Sequence, residues 1–67
     1  MRTKRVNTYE ELIGLMKTLE KYKFRWVCGE YPTEAIKFIS KDYLPINIIF
    51  GYGGYSPKVI CYERILE

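Results

Sequence analysis

Few side chains in this sequence are equipped for chemistry, and their spacing works against a catalytic or metal-bound centre. There are two cysteines, Cys28 and Cys61, and no histidine, so the commonest general base and metal ligand is missing. Two thiols from distant parts of the chain cannot complete a four-ligand zinc site. Glu10 and Glu11 are adjacent carboxylates, but neighbours on a helix diverge, so they read as partners of the helix dipole and not as an acid–base pair. No Walker A loop and no dinucleotide-binding fingerprint occurs. The expectation is a non-enzymatic protein with no cofactor and no metal.

What remains is recognition. GYGGYSP, residues 51 to 57, places Tyr52 and Tyr55 among three glycines. Tyrosine offers a large contact area with few rotamers to freeze, and glycine lets a loop adapt; binding loops use this pairing. Tyr52, Gly53, Gly54 and Tyr55 are therefore the candidate partner-binding residues, with packing over the sheet end as the plainer alternative. Gly51-Tyr52-Gly53-Gly54 also satisfies G-x-x-G, but nucleic-acid-clamping loops of that form join helices, and this one joins two strand-like runs.

The second candidate set is cationic. Net charge is +3, from 11 basic and 8 acidic residues. Arg2, Lys4 and Arg5 carry the whole excess, because removing those three leaves 8 of each sign. Residues 1–6 read as a basic N-terminal arm, compatible with phosphate contact and equally with a frayed, solvated terminus. With Arg25, Lys58 and Arg64, the arm makes a possible nucleic-acid-binding set.

The elements that position these residues follow from periodicity. TYEE, residues 8 to 11, fits a capping box, and Leu12, Leu15, Met16 and Leu19 follow at i, i+3, i+4, i+7. This predicts a helix over 8–22. FRWVCG alternates Phe24, Trp26 and Cys28 with Arg25 and Val27, predicting a strand that Gly29 ends. Pro32 with Ala35, Ile36 and Ile39 predicts a short helix. LPINIIF and KVICYER predict two antiparallel strands joined by GYGGYSP as a hairpin loop. On strict alternation Val59, Cys61 and Glu63 share one face. The expected fold is a single α+β domain over 1–67 in the order α-β-α-β-β. Its three-stranded, mainly antiparallel sheet carries the N-terminal helix on one face. The first strand is expected to pair antiparallel with the last, leaving Pro45 on an edge strand.

At 67 residues such a domain buries only about 60% of its unfolded surface, yet with 48% hydrophobic residues it can still form a core. No apolar run reaches the roughly 18 residues of a membrane span, and no signal-peptide core is present. Two cysteines in apolar runs suggest small buried hydrophobes, free thiols and a cytoplasmic location.

FRWVCGEYPTEAIKF followed by a β-hairpin resembles small accessory proteins of phages and prophages, in which an aromatic-x-Trp strand, a glycine and a Pro-Thr helix start precede a final hairpin. Phe24, Trp26, Gly29, Pro32 and Thr33 carry the likeness over about half the chain; Cys28 stands where a serine often precedes the glycine. The resemblance implies a bacterial cytosol and action by binding a host or defence protein, and it transfers no functional residue. The first functional expectation is thus a protein-interaction module, with an unidentified protein partner and no membrane. The second is a small nucleic-acid-binding protein.

Overall fold

The computed structural model describes residues 1–53 and 56–65. Its elements are β1 (Arg2–Val6), α1 (Tyr9–Lys21), β2 (Arg25–Trp26), α2 (Pro32–Ala35), β3 (Ile46–Gly53) and β4 (Ser56–Arg64). Short 3-10 turns at Ile36–Phe38 and Lys41–Tyr43 link α2 to β3.

α1 begins and ends as its sequence dictates. Thr8 Oγ1 accepts the Glu11 N–H at 3.2 Å, and the Glu11 carboxylate reaches back to the Asn7 N–H at 3.0 Å. At the other end the Phe24 N–H donates to the Leu19 carbonyl at 2.9 Å and the Lys23 N–H to the Glu20 carbonyl at 3.0 Å. That is a Schellman closure, with Lys23 at φ 71 where glycine is usual.

The class is α+β as expected, but the sheet has four strands and is mixed, in the order β1-β3-β4-β2. Several expectations are corrected. The basic N-terminal stretch is not a free arm: residues 2–6 pair antiparallel with β3, Arg2 opposite Phe50 and Val6 opposite Ile46. Pro45 precedes a strand that is therefore interior, and it costs no ladder bond because β3 starts at Ile46. β2 does lie beside the last strand, but parallel to it, Arg25 with Lys58 and Trp26 with Val59. It is only two residues long because the chain turns at once. The Gly29 N–H returns to the Trp26 carbonyl at 2.8 Å, and Gly29 sits at φ 96. Cys28 therefore lies in an exposed turn and not in a buried strand face.

The core lies between α1 and one face of the sheet. Leu12, Met16 and Leu19 meet Val6, Ile46, Ile48 and Val59, and Trp26, Ile36 and Ile39 close the side beneath α2. The β3–β4 ladder contains a register shift: Ile49 opposes Cys61, but Phe50 opposes Val59. One extra residue, Ile60, is thereby inserted in β4. Val59, Tyr62 and Arg64 share the inner face with Phe50, Ile48 and Ile46, while Cys61 turns outward and is exposed. This bulge overturns the strict alternation that grouped Val59 with Cys61. Both cysteines are free.

Candidate functional site

The two strands of the hairpin extend further than their glycines suggest. Tyr52 pairs with Pro57 and Gly53 with Ser56, so Gly51, Tyr52 and Gly53 belong to β3 and not to a loop. Gly51 has a steric task there. A Cβ on it would sit 3.1 Å from the Met1 Cα, so a larger residue would press on the start of β1. Gly54 and Tyr55 lie outside the described residues.

Tyr52 stands at the end of the inner face, 78% exposed. Its ring lies 6.2 Å from that of Phe24, which makes an edge-on contact with Phe50 at 5.8 Å. Together with Tyr22 at the end of α1, these rings border a groove of about 530 Å³ whose remaining wall includes Leu15, Leu19 and Arg2. Tyr22 is also exposed. A second depression, lined by Lys4, Val6, Glu11 and Gly14, shares Leu15 and Thr18 with the first. The two form one trough between α1 and β1. Gly14 and Thr18 keep its helical wall low, and no heavy atom lies within 4 Å of where a Gly14 Cβ would be. The trough is aromatic at one end and cationic along the β1 side, because Arg2 and Lys4 lie opposite the inward residues Phe50 and Ile48.

The six candidate cations do not share one surface. Arg2 and Lys4 face the trough. Lys58 lies on the opposite face, and its paired neighbour Arg25 turns toward the start of α2, its guanidinium 4.0 Å from the Tyr31 ring centre and donating to the Phe24 carbonyl at 2.7 Å. Arg5 is also on that outer face but at the far edge, donating to Asn7 Oδ1 at 2.8 Å. Arg64 lies on the inner side at the other end of the hairpin, 4.9 Å from the Tyr43 ring, which in turn stacks on Tyr62.

One carboxylate is electrostatically distinct. Glu20 accepts the Thr33 hydroxyl at 2.7 Å and the Thr33 N–H at 3.2 Å, tying α1 to α2. Those hydrogen bonds, with a smaller contribution from Arg25, hold its pKa below the usual carboxylate value. Both partners belong to the scaffold, away from the trough. Among the described residues no group of three or more His, Cys, Asp or Glu side chains could hold a metal ion. Nor is any described helix long and apolar enough to cross a membrane.

The sequence singles out Tyr52 but not its neighbours Tyr22, Phe24 and Phe50; the two phenylalanines pack against the core as well as bordering the groove. The signal available was spacing: Phe50 stands two residues before Tyr52 and so shares its face of β3, while Tyr22 and Phe24 flank the turn at Lys23 that ends α1. No protein-family model, curated protein or solved structure matches this chain.

Proposed function

We propose that this protein is a small non-enzymatic interaction module that binds a partner protein through the Tyr52 end of the trough. The carrying observation is an exposed tyrosine seated beside Tyr22, Phe24 and Phe50 on regular strand backbone. A ring held this way presents apolar area without the entropy of ordering a loop, which is how aromatic anchors act as hot spots. Inhibition of a host or defence protein in a bacterial cytosol is the setting that the phage-protein resemblance supports.

A second reading has its own support. Arg2 beside four aromatic rings, with Lys4 further along the trough, also suits single-stranded nucleic acid, whose bases stack on rings while cations meet phosphate. Capture experiments from a bacterial lysate, with and without nuclease and over a range of salt, separate the two. Nuclease-resistant capture that Tyr52→Ala weakens at least about thirtyfold, as loss of a hot spot of about 2 kcal/mol implies, supports the interaction module. Capture that nuclease abolishes and salt weakens steeply supports the nucleic-acid reading. Equal capture by Tyr52→Ala and wild type would place the interface elsewhere and sink the first reading.

A further inference from the structure

We propose that the free edge of β1 docks an acidic, extended peptide segment of the partner, which adds as a fifth strand and sets an apolar side chain at the aromatic end of the trough. The inference rests on the protein-interaction reading and names the partner's chemistry.

β1 ends the strand order, so β3 pairs with one side of its backbone and no described strand pairs with the other. Its register with β3 runs from Arg2 to Val6 without a shift, and the strand contains no proline. The opposite edge differs: β2 is two residues long and leads straight into the turn at Gly29. An uninterrupted edge is a template for strand addition, in which main-chain hydrogen bonds supply affinity and alternate side chains supply specificity.

Charge selects what can use that template. Of the five residues RTKRV, three are cations. A second copy pairing edge to edge would set those cations against each other, so self-association is disfavoured. A strand bearing carboxylates meets Arg2 and Lys4 as complementary cross-strand pairs on the trough side. Alternate residues of an added strand face the trough. In the antiparallel sense, carboxylates opposite Lys4 and Arg2 would be followed, two residues on, by a side chain reaching Tyr22, Phe24 and Tyr52. The recognised pattern is acidic-x-acidic-x-aromatic, or a large aliphatic residue in the last place. The unpaired ladder favours a peptide over a nucleic-acid strand, because only a polypeptide repeats its donors and acceptors at strand spacing.

The probe is a fluorescein-labelled peptide of alternating glutamate and threonine ending in phenylalanine, titrated by anisotropy against the whole protein. A peptide of the same length with lysine for glutamate, and an oligothymidylate, serve as comparators. The acidic peptide should bind, and salt approaching 1 M, where the Debye length is about 3 Å, should weaken it. An Arg2→Glu/Lys4→Glu double variant, shown folded by circular dichroism, should bind about tenfold more weakly, since two exposed ion pairs become repulsive. Hydrogen exchange of β1 amides in the wild-type protein should slow when the peptide is added. If the double variant does not fold, the wild-type exchange result decides. No binding of the acidic peptide, binding without β1 protection, or tighter binding of the oligothymidylate would each overturn the proposal. Its failure is distinguishable from failure of the broader reading. If Tyr52→Ala loses the partner while Arg2→Glu/Lys4→Glu keeps it, the interaction module stands and strand addition is refuted.

Discussion

Replacing Tyr52 with alanine separates recognition from stability, and the structure sets the size of each effect. Tyr52 is 78% exposed, so about a fifth of the residue is out of water. A buried tyrosine removes about 150–250 Å²; a fifth of that, at about 25 cal/mol per Å², is about 1 kcal/mol. The tilted contact with Phe24, at 6.2 Å, is near the far end of the useful range and adds about 0.5 kcal/mol. Tyr52→Ala should therefore lower the unfolding free energy by about 1–1.5 kcal/mol and leave a folded protein. Trp26 provides the internal reference. It is 8% exposed, and its indole N–H donates to the Pro32 carbonyl at 3.4 Å. Trp26→Ala should cost about 3–5 kcal/mol, most of what so small a domain has. Urea unfolding followed by far-ultraviolet circular dichroism measures both variants with one probe, and equal m-values would confirm that the same transition is compared. A loss of about 3 kcal/mol or more for Tyr52→Ala would show that its ring closes the core, and the assignment of Tyr52 to a recognition surface would fall.

Other expectations follow from single contacts. Gly14→Ala should stabilise the exposed middle of α1 by about 0.5–1 kcal/mol, and Lys23→Gly should stabilise its left-handed terminus by a similar amount; melting temperatures that fall instead would show that these backbones are not the limiting strain. Glu20 ionises more readily in the folded state, so its stabilising effect is present above the ordinary glutamate value of about 4.5 and is lost as pH falls through the lowered folded value. The stability difference between wild type and Glu20→Gln should accordingly shrink on acidification, and a difference that grows would contradict the Thr33 hydrogen bonds as its cause. Cys28 and Cys61 are both free and exposed, so both should react with iodoacetamide in the native protein; labelling only in denaturant would contradict their exposure.

α1 was legible because its signals are local: a cap, a heptad-like stripe and a charge gradient within one segment. The missed features depend on what lies across the sheet. RTKRV has only one buried residue, Val6, so its charges conceal a strand whose inner face is needed at a single position. Cys61 reads as buried on strict period two, and only the pairing with β3 reveals that Ile60 is an extra residue. GYG reads as a loop, yet Gly51 is small because Met1 crosses it, a requirement set by a residue fifty positions earlier. The trough is of the same kind. Tyr52 was visible alone, but its company of Arg2 from β1, Tyr22 and Phe24 from the end of α1 and the turn after it, and Phe50 from its own strand is gathered at one end only by the fold.

The pairing of β1 with β3 also sets the order in which the molecule can assemble. Val6 and Ile46 are forty positions apart, whereas Gly53 and Ser56 are separated by two residues. Closing a loop of about forty residues costs about 2.5 kcal/mol more than closing one of two or three, on a logarithmic length dependence. The hairpin of β3 and β4 can therefore form early, while β1 gains its contacts only after β3 exists to receive it. Val6→Ala is expected to speed unfolding and to leave the folding rate nearly unchanged, the signature of contacts formed after the transition state; slowed folding in stopped-flow refolding would place β1 in the nucleus instead. On this order, β1 precedes β3 in the sequence but finds its place only after it.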